Sequence, residues 1–171
     1  MPRALVWITA ALAVAAAGCA AQRAAAARAR LLQGKLDELR YPKPLDDVWA
    51  EARRLLAAKG YPLAGADAEA VGQKPAFLGG LFSPAKETQP DPNGQFLETG
   101  WGPGPLRYRL QGSKDGAGVQ VVFWAFAADP TEHGRDAPGR TRGLDMELEL
   151  ARRLDPEAAA AIEAAVPPAP E

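Results

Sequence analysis

The chain has 171 residues, 47% of them hydrophobic, with 20 Lys and Arg against 21 Asp and Glu for a net charge of −1. That near-balance gives no basic footprint for holding nucleic acid, and the length suits one domain of ordinary size. A lone cysteine excludes an intramolecular disulfide, so apolar burial must hold the core.

The first three residues carry one positive side chain, and residues 4–17 are apolar apart from Thr9. A membrane-spanning helix needs about 20 apolar residues, so this shorter run predicts a secretory signal peptide over 1–18. It ends on Ala16-Ala17-Gly18-Cys19, which resembles the lipobox of bacterial lipoproteins. The resemblance implies acylation of Cys19 and a membrane anchor through it, each buried CH₂ of an acyl chain contributing about 0.8 kcal/mol. With Ala20 and Ala21 after the cysteine and no aspartate, it also implies sorting to the outer membrane, facing the periplasm. The alternative is an ordinary secretory signal, cut nearby and leaving a free thiol.

Residues 19–34, alanine-rich with Arg23, Arg28 and Arg30, predict a tether, helical by propensity and ending at Gly34. The domain proper is expected over 35–166, with "KLDELRY" as a first strand and a disordered tail over 167–171. "PLDDVWAEARRLLAAKG" gives the best local signal: Leu45, Val48, Trp49, Ala52, Leu55 and Leu56 fall on one helical face. Asp46 and Asp47 in its first turn and Lys59 in its last match the helix dipole, and Gly60 offers a left-handed stop.

Downstream the period changes to two. In "PLRYRLQ", Leu106, Tyr108 and Leu110 alternate with Arg107, Arg109 and Gln111, and "GVQVVFWAF" follows a turn signalled by Asp115-Gly116. "QFLETGW" predicts a preceding strand, and "YPLAGAD" a further one. The loop over 70–94, rich in Pro and Gly, contains the apolar stretch "AFLGGLF", read either as folding over an open edge of the core or as a binding lip. After the loop "ADPTEHGRDAPGRTRG", the stretch "LDMELELARRL" predicts a helix, and Asp155-Pro156 a fresh cap starting another, to about Val166.

Catalytic patterns do not emerge. His133, the single histidine, sits in a charged loop, and Ser83 and Ser113 lie outside any nucleophile elbow. One histidine and one cysteine do not make the usual zinc site, and Asp145, Glu147 and Glu149 read as a solvated acidic row. No cofactor is expected. On the last predicted strand Val119, Val121, Phe123 and Ala125 point one way, and Val122, Trp124 and Phe126 the other. Both faces are apolar, so the second must meet another helix, the long loop or something outside the chain, the C-terminal helices being the simplest internal cover.

The order strand, "PLDDVWAEARRLLAAKGYPL", "FLETGW", "RYRLQGSKDGAGVQVVF" is similar to the helix-grip domains of BamC, a lipoprotein accessory of the outer-membrane β-barrel assembly machinery. The shared texture is a Val-Trp near the helix start, a Gly-Tyr exit, a Thr-x-Trp strand end and an arginine-rich strand beside a valine-rich one. It covers about residues 36–127, one domain against the two of BamC. What it implies is a non-enzymatic, lipid-anchored module working through an envelope protein partner. The competing class is a carrier of a small apolar ligand in a START-like cavity, lined by Phe77, Phe82, Trp101, Tyr108 and Trp124. The expected fold is α+β: an antiparallel three- to four-stranded sheet packed on one amphipathic helix, helix-grip-like, plus C-terminal helices. The expected partner or ligand surface is Phe77, Phe82, Trp101, Trp124 and Phe126.

Overall fold

The computed structural model describes residues 3–63, 94–103, 106–127 and 140–168, with side chains from residue 21 onward except that of Arg140. In chain order the elements are α1 (Arg3–Glu38), α2 (Leu45–Ala58), β1 (Gly94–Glu98), β2 (Leu106–Asp115), β3 (Gly118–Ala127), β4 (Arg140–Arg142), α3 (Leu144–Leu154) and α4 (Pro156–Ala165). The fold is α+β, with one antiparallel sheet in the order β1-β2-β3-β4 and helices packed against it.

The stripe read in α2 is the buried one: Val48, Trp49, Ala52, Leu55 and Leu56 are all in the core. The helix stops after Ala58, and Gly60 takes the left-handed conformation with φ of 81°. Facing α2 are the inward residues of the hairpin, Tyr108, Leu110, Val119, Val121, Phe123 and Ala125. Leu55, Leu56, Leu110, Val119 and Phe123 have no exposed surface, so the layer between α2 and the sheet is filled.

The hairpin turns where Asp115-Gly116 predicts, although Gly116 keeps a negative φ. The Asp115 carboxylate makes the turn instead, accepting from the amides of Ala117 at 2.9 Å and Gly118 at 3.2 Å. Its other oxygen accepts from Arg40 Nε at 2.8 Å, and this hydrogen bond, with those amides, holds the carboxyl below its ordinary range.

Three expectations are corrected. "KLDELRY" is not a strand: Lys35 to Glu38 close the last turn of α1, and only Tyr41 pairs, in a single bridge to Val119. Leu32 and Leu36 explain this, because four residues apart on a helix they share a face and bury among Leu148, Ala151, Ala159, Ile162 and Val166. The packed domain therefore begins at Leu32, inside the expected tether, and Arg28 Nε donates to the carbonyl of Pro167 at 3.0 Å, inside the expected tail. Of "YPLAGAD", residues 61–63 are irregular and the rest lie outside the described residues; the fourth strand of the described sheet is the short β4.

The C-terminal helices do not cover the second sheet face. Met146 and Leu150 of α3 join the cluster under α2, so α2 and α3 lie on the same face. The cause is the entry at Gly143, where a Cβ would stand 2.9 Å from the Tyr108 ring and 3.2 Å from Phe123 Cβ. Only a glycine lets the chain pass that close over the inner face. Helix α4 then packs on α3 and α1 through Ala159 and Ile162. As the sequence predicts, Asp155 caps it, accepting from the amide of Ala158 at 3.0 Å with Pro156 in the first turn. Asp155→Ala should lower stability by about 1 kcal/mol, read from the urea midpoint with an unchanged slope.

Candidate functional site

The sheet face turned away from α2 and α3 is built by strand alternation. Its cross-strand rows follow from register: Phe96, Gln111 and Val122; Glu98, Arg109 and Trp124; then Arg107 and Phe126. Aromatic rings and arginines therefore meet here as direct neighbours. Phe126 is buried at 5% exposure although it belongs to neither apolar cluster.

Trp101 reaches this face from the turn after β1. Thr99, buried at 2%, extends the β1–β2 pairing, its hydroxyl accepting from the Tyr108 amide at 2.9 Å and its amide donating to the Tyr108 carbonyl at 2.9 Å. Gly100 N then donates to the Pro62 carbonyl, and Gly102 N to the Leu106 carbonyl, both at 2.9 Å. Gly102 is required by closeness: a Cβ there would lie 2.2 Å from the Tyr61 ring. The Gly60-Tyr61 exit of α2 and the Thr-x-Trp end of β1, read apart in the sequence, thus meet in space and present Trp101.

The result is a stack of alternating character. The Arg107 guanidinium carbon lies 5.2 Å from the Trp101 ring centroid and 5.4 Å from that of Phe126, and Arg109 lies 5.4 Å from Phe126 on its own approach. Each such contact contributes about 0.5–2 kcal/mol, depending on desolvation. Arg109 is neutralised by Glu98, directly opposite on β1. Arg107 is not: among the described residues it has no carboxylate partner, and its Nε is buried without a hydrogen-bond acceptor. Trp101 keeps 36% of its surface exposed.

The chain matches no protein family, no curated protein and no solved structure. The reading of the site therefore stands on the geometry of these residues.

Of the expected surface residues, the structure brings Trp101, Trp124 and Phe126 to one face. Phe77 and Phe82 lie outside the described residues, as do Ser83 and His133, and the side chain of Cys19 does too. The expected cavity lining separates: Tyr108 is on the inner face, edge-on to Tyr61 at 4.9 Å and to Phe123 at 6.2 Å, whereas Trp124 is on the outer one. Burial, with Tyr61 beside it, pushes the Tyr108 phenol up to about 12. Two residues on opposite sides of a sheet cannot line one pocket.

The acidic row is corrected as well. Asp145 is exposed and Glu149 pairs with Arg152 and Arg153, but Glu147 is buried at 3% exposure. Its carboxylate takes Arg142 in a two-pronged pair, Nε to Oε1 at 2.9 Å and Nη2 to Oε2 at 2.8 Å, and accepts from the Phe123 amide at 3.1 Å. Arg142 also pairs with Asp37 at the end of α1. This triad ties α1, α3, β3 and β4 together, with Arg142 opposite Trp124 in the sheet register. Among the described residues no His, Cys, Asp and Glu group of three or more is placed to hold a metal ion.

Proposed function

We propose that the protein is a lipid-anchored lipoprotein of the cell envelope, held at Cys19 in the outer membrane on the periplasmic side. It acts as a non-enzymatic binding or scaffold module for an envelope protein, in the manner of accessories to outer-membrane assembly. The observation that carries the reading is the composition of the sheet face turned away from α2 and α3, which carries Trp101, Arg107, Phe126, Arg109 and Trp124. An aromatic and arginine surface of this kind is the composition that dominates protein–protein contacts. The apolar run ending at Ala16-Ala17-Gly18-Cys19 supports the anchor.

The carrier reading receives less support, because the layer between α2 and the sheet is filled and its proposed lining is split between two faces. Labelled palmitate fed to a bacterial host expressing the full chain tests the anchor. Incorporation is expected in the native protein and abolished by Cys19→Ser; equal labelling of both, or of neither, would defeat the proposal.

A further inference from the structure

We propose that Arg107 is the receptor for a carboxylate on an acidic segment of the partner protein, with Trp101 as the apolar platform beside it. The proposal deepens the scaffold reading and rests on it. Four observations combine. The Arg107 guanidinium lies against two aromatic rings, Trp101 and Phe126, which restrict its plane and its rotamer. Its Nε is buried without an acceptor, so part of the donor fork is already out of water and unsatisfied. That Nε is closed to solvent, so a carboxylate from outside would use the terminal Nη groups of the fork. The neighbouring Arg109 has its own carboxylate in Glu98, whereas Arg107 has none among the described residues, on a chain whose net charge is −1.

The chemistry of the occupant follows from these groups. A planar guanidinium presents two parallel N–H donors that match a carboxylate. The site has a 36% exposed tryptophan at its edge, so it suits a polypeptide carrying Asp or Glu next to an apolar side chain. The aromatic contacts supply orientation and the carboxylate supplies specificity.

The test follows the arginine Nε–H and tryptophan Nε1–H signals of the full chain, ¹⁵N-labelled in a zwitterionic detergent. The Arg107 signal is assigned by its loss in R107K. Four probes are titrated: an acetylated and amidated peptide of alternating Glu and Phe, the same peptide with Gln for Glu, inorganic phosphate, and vesicles of phosphatidylglycerol. The Glu peptide should shift the Arg107 and Trp101 signals and the Gln peptide should not. R107Q, with its circular dichroism unchanged, should weaken the Glu peptide about tenfold or more, and R107K should recover part of that loss. Equal binding of the Glu and Gln peptides, a response to phosphate or vesicles without one to the Glu peptide, or no response to any probe would each overturn the assignment. None of these outcomes touches palmitate labelling at Cys19, so failure here and failure of the anchor are told apart.

Discussion

Glu147→Ala is expected to destabilise the fold by about 3–5 kcal/mol, since removing one member of a buried ion pair strands the other. Arg142 would keep only Asp37 at its outer edge, while the Phe123 amide on the β3 edge would lose its acceptor. At this size the loss corresponds to a fall in melting temperature of about 10 °C. The double replacement Arg142→Leu with Glu147→Leu should recover most of it, because two apolar side chains need no partner. A melting temperature for Glu147→Ala within about 2 °C of the native value would refute the argument. The same carboxyl carries a pH signature. Burial pushes it above its usual range, against the opposing pull of Arg142 and the Phe123 amide. A carboxyl raised on folding binds more protons in the native state, so stability falls as pH climbs from the ordinary glutamate value through the raised one. Glu147→Gln has nothing to titrate there, and its stability curve should be flatter across that window in paired urea titrations.

The second large effect is expected at Leu36. It is 3% exposed, and Leu36→Ala should cost about 2–5 kcal/mol through lost burial and an unfilled cavity. The damage should be concentrated where Leu36 packs: hydrogen exchange should quicken across residues 28–38 and in α4, while the β2–β3 hairpin amides change less. Uniform quickening throughout the chain would mean that the α1 contact is not a separable unit. Two further ties hold the end of α1, the Arg142–Asp37 pair and Gln120 Nε2, which donates to the Asp37 carbonyl at 3.2 Å. Leu36→Ala should therefore loosen the helix without releasing it.

The elements that could be read from the residues are those in which one period dominates. Helix α2 has a single apolar stripe and the hairpin has clean alternation, and each was placed within a few residues. The misreadings share a cause, a local pattern overruled by a distant partner. Leu36, Leu39 and Tyr41 lack a helical stripe of their own length, and Leu32 and Leu36 acquire one only because α3 and α4 offer a surface. Strand β4, with three polar residues, forms because the β3 edge needs a partner, a demand absent from its own sequence. Glu147 was legible in principle. It lies three residues after Leu144 and four before Ala151, on the apolar stripe, and a carboxylate there calls for a buried cation such as Arg142. The site was half visible: Trp124 and Phe126 announced an apolar second face, while Arg107 and Arg109 looked like solvated alternation. Their register opposite Phe126 and Trp124 was the available signal. The side of the sheet taken by α3 depends on the crossing at Gly143, which periodicity does not encode.

Helix α1 runs without interruption from Arg3 to Glu38, and its packed part begins near Arg28. With an acylated Cys19, the segment between the lipid and the first docked turn would be a stiff post only about 13 Å tall. A flexible leash would let the domain tumble and present any side. If Cys19 is acylated as proposed, a helical post would instead confine the domain to a narrow range of heights above the bilayer, and its encounters with a partner would be a search in two dimensions.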